Sequence, residues 1–230
     1  MGNIEILDRN LHADINIDFN AARRGPRREL IPVVVSEFQS LMFHYPIVFV
    51  KDQATGKFNC SILLGISAET NLLDHCDWAD DEVLPLNIRR LPLVAVAPQE
   101  DKGQPLIGIN WSAAGVKLQS GVGDYIFKNQ SDGFDVAVAA LVELHHGFEQ
   151  TDKYVDKVLE LDLVSKLHAQ VQYKDKPSVT LEGLYGIDPN RISRVIEGDT
   201  QQKDAFLVIA NYVYAQYFSL ANMRKLARYL

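Results

Sequence analysis

The stretch Glu37-Phe-Gln-Ser-Leu-Met-Phe-His-Tyr-Pro-Ile-Val-Phe-Val50 decides how this chain folds. Its second half is a short, proline-led apolar run that reads as a buried strand. Its first half sets a carboxylate, an imidazole and a phenol at the mouth of that strand. Polar groups in such a place must be hydrogen-bonded, solvated or used. The next apolar run supplies a pairing partner. Tyr45 to Lys51 and Phe58 to Leu64 flank Asp52-Gln-Ala-Thr-Gly-Lys57, a short glycine-containing loop, and together they predict a hairpin. Glu37 to Phe43 supplies one or two helical turns in front of it.

Working outward, Ile15, Ile17 and Phe19 alternate with Asn16, Asp18 and Asn20, which predicts an edge strand. The run Ala21 to Arg28 then reads as an exposed loop. Residues 66–90 are polar and irregular. Leu91 to Ala97 and Leu106 to Trp111 return to strand character across a turn at Pro98 to Gln104. Beyond residue 130 the period changes. Val136, Ala137, Ala140, Leu141, Leu144 and Phe148 recur every three to four residues after a Ser131-Asp-Gly133 start signal, the pattern of an amphipathic helix. Thr151-Asp152 is expected to cap another helix running to about Leu161. Leu167 to Tyr173 and Val179 to Ile187 form a second predicted hairpin around Lys174 to Ser178. Asp188-Pro189 places a capping carboxylate before a proline suited to the first helical position, and Gly198 closes that helix. A long C-terminal helix follows, with Phe206, Ile209, Tyr212, Val213, Tyr217, Leu220 and Arg224 on one face. Arg224, Lys225 and Arg228 sit near its end, where the dipole favours cations. The expectation is one α+β domain over residues 1–230. Its N-terminal half is strand-rich with antiparallel hairpins, and its C-terminal half is helix-rich, ending in a long amphipathic helix. A division near residue 130 has no linker to mark it.

The chain has 230 residues, 47% hydrophobic and 23% charged, enough to build a sizeable core. A net charge of −7 argues against a nucleic-acid footprint, and the arginine pairs at 23–24, 27–28 and 89–90 are each short. Cys60 and Cys76 have neither zinc nor redox spacing, and Cys60 reads as a small buried hydrophobe. The first thirty residues lack the apolar core of a leader, and no run approaches the ~20 apolar residues of a spanning helix. A soluble, cytoplasmic protein without membrane insertion is expected.

No motif names a reaction. There is no HExxH, GxSxG, P-loop or strand-linked GxGxxG. His145 and His146, adjacent on a helix, point about 100° apart and are poorly placed to share an ion. His12, Glu37 and His44 have the composition of a facial metal triad, with no spacing that enforces it. The irregular segment is richer: Glu69, Asn71, Asp74, His75, Asp77, Trp78, Asp80 and Asp81 precede Arg89-Arg90. Such a cluster forms a structural ion network, or a cleft in which Arg89 or Arg90 grips a carboxylate or phosphate against Trp78. Gly183-Leu-Tyr-Gly186 reads as strand packing or a bulge.

These stretches together resemble the SapC family of bacterial proteins. The resemblance rests on Leu7-Asp-Arg-Asn-Leu-His12, Glu37-Phe38, His44-Tyr-Pro-Ile-Val-Phe49, Gly65, Asn71-Leu72, Trp78 and Ile88-Arg-Arg-Leu-Pro92. It continues through Ile126-Phe127, Gly133 and Leu181-Glu-Gly-Leu-Tyr-Gly-Ile-Asp188 into the helical tail. Leu93 stands where the family pattern suggests an aromatic residue, and Lys128-Asn129 where it suggests an acidic element. The family is named for association with surface-layer proteins. Its members tend to be encoded beside halogenase-like and oxygenase-like proteins and outer-membrane receptors. The resemblance therefore implies an accessory protein that binds a peptide or another protein, serving a halogenase- or oxygenase-linked modification or an uptake system. The expected contacts are His44, Tyr45, Asn71, Trp78, Arg89 and Arg90, with no cofactor and the oligomeric state open. The alternatives are a metal-dependent oxygenase or hydrolase using His12, Glu37 and His44, and a surface-layer or export component.

Overall fold

In the computed structural model, residues 3–25, 28–65, 71–75, 83–97, 105–117, 123–128, 131–171 and 179–228 are described. The chain begins with strands β1 (Ile4–Ile6) and β2 (Asn16–Ile17), helix α1 (Phe19–Arg23) and strand β3 (Leu30–Pro32). A 3-10 turn at Val35–Glu37 leads to α2 (Phe38–Leu41) and to the hairpin β4 (Ile47–Lys51) and β5 (Phe58–Leu63). Then come α3 (Leu86–Arg89), β6 (Leu93–Val96), β7 (Leu106–Asn110), β8 (Val116–Lys117) and β9 (Asp124–Tyr125). The long α4 (Asp132–Glu160) precedes β10 (Val164–Lys166), β11 (Ala169–Val171), β12 (Val179–Leu181) and β13 (Leu184–Ile187). Helices α5 (Pro189–Glu197), α6 (Thr200–Ser219) and α7 (Met223–Arg228) complete the fold. The α+β class and the antiparallel pairing expected from the sequence are both present.

Two compact units arise, each from two stretches of chain: Met1–Arg27 with Leu86–His145, and Arg28–Pro85 with His146–Leu230. In the first, β1, β7 and β6 form one antiparallel sheet, and β8, β2 and β9 another. The expected edge strand is thus a central one: Asn16 is opposite Lys117 on one side and Tyr125 on the other. The alternating pattern located the strand, but its neighbours lie about a hundred residues downstream, out of reach of local reading. Ala21 to Arg24 is also not simply loop. The Asp18 carboxylate accepts the Ala21 N–H at 3.0 Å and caps α1, which buries Phe19 and Ala22. Ile15, Ile17, Phe19, Leu93, Ile109, Ile126, Ala137 and Leu141 make this unit's core. Gly133 is needed there, because a Cβ would lie 2.5 Å from the Phe19 ring.

The second unit is built on a five-stranded sheet in the order β10-β13-β4-β5-β3, all neighbours antiparallel. The predicted hairpin pairs Phe49 with Cys60 and Val48 with Ser61. Tyr154 of α4 lies against this sheet, stacked on Phe49 at 6.2 Å and edge-on to Phe38 at 5.7 Å and Tyr212 at 5.8 Å. Such offset and edge-to-face pairs satisfy the ring quadrupoles. The helix break expected at Thr151-Asp152 does not occur. Thr151 is buried, its hydroxyl donating to the Gly147 carbonyl at 2.7 Å and accepting the Val35 N–H at 3.0 Å. A residue typed as a cap from sequence here tethers the helix interior to the Val34–Val35 turn. The start of α5 is as predicted, with Asp188 accepting the Asn190 N–H at 2.9 Å and Gly198 at its C-terminal cap.

Candidate functional site

The sequence nominated polar residues on both units, and most of them prove to hold the fold. His12 sits in a tight turn: the Asp8 carboxylate accepts the Asn10 and Leu11 N–H groups at 2.7 and 3.0 Å, and the Asp8 N–H donates to His12 Nδ1 at 2.9 Å. With Nδ1 accepting, the proton of the neutral ring belongs on Nε2, which faces Glu5 at 3.6 Å. Glu5 also accepts the Trp111 indole N–H at 2.9 Å, and the Trp111 and His12 rings lie 5.6 Å apart. The Leu11 amide, then that of Asn10, hold the Asp8 carboxyl below its ordinary value. Trp111 was missed as a partner because it lies a hundred residues away on the far end of β7.

Glu37 is buried and turns its carboxylate back onto the Val34 N–H at 2.9 Å, the reciprocal half of a capping box. Tyr45 is buried in the core, and the half-buried His44 ring lies tilted against it at 6.1 Å. The backbone of this stretch is latched by the C-terminal segment. Asn222 donates to the Met42 and Tyr45 carbonyls at 2.7 and 3.4 Å, and Lys225 donates to those of Phe43 and His44 at 2.8 and 3.5 Å. Asn71 is equally committed, donating to the Arg28 carbonyl at 2.9 Å and accepting the Leu73 N–H at 3.0 Å. Arg90 braces its own turn through the Asn87 side chain at 2.9 Å and the Leu93 carbonyl at 2.7 Å. Arg89 differs, being half-buried with no hydrogen-bond partner for Nε among the described residues. Trp78, with Glu69, Cys76, Asp77, Asp80 and Asp81, lies outside the described residues. Lys128, in the loop that departs from the family pattern, pairs with Asp14 above the Tyr125 ring. The hydrogen bond from Lys128 to Asp14 raises the pKa of its ammonium.

No group of three or more His, Cys, Asp or Glu side chains able to hold a metal occurs among the described residues. Cys60 is buried, and burial pushes its thiol well above the ordinary range, with the Asp152 charge adding to the shift. A thiol held protonated in this way is a core side chain, as its strand position suggested.

A concave site forms elsewhere, where the second hairpin changes register. On one side of the change Lys166 pairs with Tyr185, and on the other Ala169 pairs with Leu181. Two residues, Leu167 and His168, therefore oppose three, Glu182, Gly183 and Leu184. That is a β-bulge, and Gly183 supplies the positive φ of 75° that it requires. A Cβ on Gly183 would meet nothing within 4 Å, so glycine is used there for its backbone and not for space. At Gly186 the reason is reversed, since a Cβ would come 2.8 Å from Leu167. The bulge opens a groove of about 610 Å³ lined by Lys166 to His168 and Thr180 to Tyr185. Lys166, His168, Thr180 and Glu182 are exposed around it, while Leu184 is buried and Tyr185 packs edge-on against Phe58 at 4.9 Å. The sequence signalled the bulge through Gly183-Leu-Tyr-Gly186. It did not signal the groove, because Lys166 and His168 lie on the opposite strand.

Every element of the Leu181–Asp188 stretch thus has a physical task, from the bulge to the helix cap. No helix among the described residues is long and apolar enough to cross a membrane. No curated protein and no solved structure matches this chain. The family model described as SapC matches residues 7–226, a span that takes in the Asp8–His12 turn, the latched His44-Tyr45 stretch and the bulge. The chain belongs to the SapC family.

Proposed function

We propose that this protein is a non-catalytic accessory protein that holds an extended peptide segment of a partner protein in the bulge groove. The observation that carries the reading is the groove's composition. Charged and hydrogen-bonding side chains (Lys166, His168, Thr180 and Glu182) surround an apolar base that includes Leu184. A peptide offers the same mixture, a polar backbone with side chains alternating to either face. The ladder lies at a sheet edge, β10 being the outermost strand. Arg89 is a second contact in this proposal, since its guanidinium Nε has hydrogen-bonding capacity left among the described residues. The histidine and carboxylate that would have made a metal centre are engaged otherwise, His12 with the Asp8 N–H and Glu37 with the Val34 N–H. The proposal includes residues 1–230 acting as one SapC-like domain, since the family match spans both units, and a reducing, cytoplasmic setting that suits the buried Cys60 thiol. The partner belongs to a halogenase- or oxygenase-linked modification system, or to uptake.

A display selection of random peptides on the purified chain tests the reading. Selected peptides should lose at least about tenfold in affinity to Thr180→Trp, which fills the groove with a large ring from an exposed strand position, and to Glu182→Lys. Peptides that bind both variants as tightly as the parent protein, or no enrichment at all, would refute it.

A further inference from the structure

Helix α6 buries one side and leaves the other bare. Phe206, Ile209 and Val213 are in the core, while Leu207, Val208, Tyr214 and Phe218 are 69%, 76%, 37% and 56% exposed. Single exposed apolar residues are ordinary, but a contiguous stripe is not. Leu207, Asn211, Tyr214 and Phe218 follow one another at separations of four, three and four, the spacing of a coiled-coil seam. At 1.5 Å per residue the seam runs for about 16 Å. Its rings are already arranged: Tyr214 and Phe218 stack at 6.1 Å, and Phe206 meets Tyr214 edge-on at 6.0 Å. Side chains held in place before association forfeit less entropy on binding.

We propose that this face binds a second copy of the chain, the two α6 helices packing antiparallel across a two-fold axis that passes between Asn211 and Tyr214. Such an interface is isologous, so one stripe must complement itself reversed. It does. Leu207 falls opposite the partner's Phe218, and Asn211 opposite the partner's Tyr214, where an amide meets a phenol. A single polar residue at a seam position is the usual device for fixing register. Charge selects the direction. Asp204 near the start of the helix and Arg224 beyond its end are both exposed. Antiparallel packing brings Asp204 within a turn of the partner's Arg224, whereas parallel packing would set like charges together. Antiparallel helix dipoles add to the preference.

Two aromatic and two aliphatic side chains at these exposures contribute about 400 Å² per copy, and flanking polar residues bring the total for both copies to about 1,200 Å². That is the lower edge of specific interfaces, so the dimer should be reversible and concentration-dependent.

Analytical ultracentrifugation of the full chain across a concentration series tests this. The expected result is a monomer–dimer equilibrium whose dissociation constant rises at least about tenfold in Leu207→Asp and in Phe218→Asp, with melting curves unchanged because both positions are exposed. Val142→Asp, an exposed apolar change on α4, should leave the equilibrium alone. Asp204→Arg should weaken the dimer, and adding Arg224→Asp should restore it. A monomer at every concentration overturns the proposal. A dimer untouched by Leu207→Asp and Phe218→Asp, or one weakened by Asp204→Arg but not restored by Arg224→Asp, overturns it equally.

Discussion

Gly147 sits in the middle of α4, where replacing glycine with alanine would ordinarily stabilise a helix by about 1 kcal/mol. Here the sign should reverse. A Cβ at 147 would lie 2.6, 2.7 and 3.0 Å from Cγ2, Cβ and Cγ1 of Val34. Val34 is fully buried, and a β-branched side chain has little rotamer freedom with which to retreat. The adjoining turn is tethered to the same helix by the Val35 N–H to Thr151 bond at 3.0 Å, so neither side can move alone. Overpacking of this kind costs about 1–3 kcal/mol, and three close contacts on a pinned neighbour place it in the upper part of that range. Subtracting the propensity gain leaves a net loss of about 1–2 kcal/mol for Gly147→Ala. For a protein of this length that is a fall in Tm of about 2–8 °C. Val34→Ala alone should also destabilise, by about 1.5–3 kcal/mol of lost burial. In that background, however, Gly147→Ala should stabilise, because the methyl fills space the valine vacated. The double-mutant cycle should therefore give a coupling of about 2–3 kcal/mol, read from urea and thermal melts of the four proteins. If Gly147→Ala raises or leaves unchanged the Tm of the parent protein, the close approach of helix and turn is not what glycine is there for.

Four further outcomes follow from bonds already described. Asp188→Ala should cost about 0.5–2 kcal/mol by removing the cap of α5, measured by chemical denaturation, and Asp188→Asn should retain most of it. Arg90→Lys should lower the Tm, since one ammonium cannot serve both the Asn87 side chain and the Leu93 carbonyl; an unchanged melt would return Arg90 to the list of free contacts. The depressed pKa of Asp8 contributes stability that is present above the ordinary carboxylate range and lost as pH falls through its lowered folded value. Asp8→Asn should accordingly be less stable than the parent at neutral pH, with the difference shrinking in acid; a gap that does not narrow would contradict the ionic part of the turn. Tyr154→Phe should cost about 1–3 kcal/mol by stranding the buried Gln216 carbonyl, now bonded to the phenol at 2.6 Å, and adding Gln216→Leu should recover part of the loss in the same melts.

What could be read in the sequence was local. The hairpin Ile47–Leu63 and the Asp188-Pro189 helix start are written in residues a few positions apart, and both appear where expected. Strand β2 was found but misplaced within its sheet, because its neighbours at Lys117 and Tyr125 are distant in sequence. Thr151 misled for the same reason. A threonine followed by aspartate signals a cap locally, and only the packed Val35 backbone reveals that its hydroxyl serves another bond. The candidate site followed this rule too. His44 and Asn71 attracted notice as polar residues near apolar runs, but their atoms and backbones answer to groups up to 181 positions away. The groove has two walls on separate strands, and a one-residue register change at Gly183 creates it. Local composition exposes the glycine and not the space beside it.

The residues that identify the family in this chain are mainly those that build it. Asp8 to His12 make a turn, Glu37 a reciprocal cap, and Met42 to Tyr45 a backbone grip for Asn222 and Lys225. Leu181 to Asp188 combine a bulge, a packing glycine and a helix cap within eight positions. A family signature of this kind specifies a scaffold, which explains why it names no reaction. Specificity then belongs to side chains the scaffold displays without needing them: Lys166, His168, Thr180 and Glu182 around the bulge, and the stripe from Leu207 to Phe218 on α6. Substitution at the first set should change what is bound, and at the second how many copies bind it, while substitution at the signature itself should change only whether the protein folds.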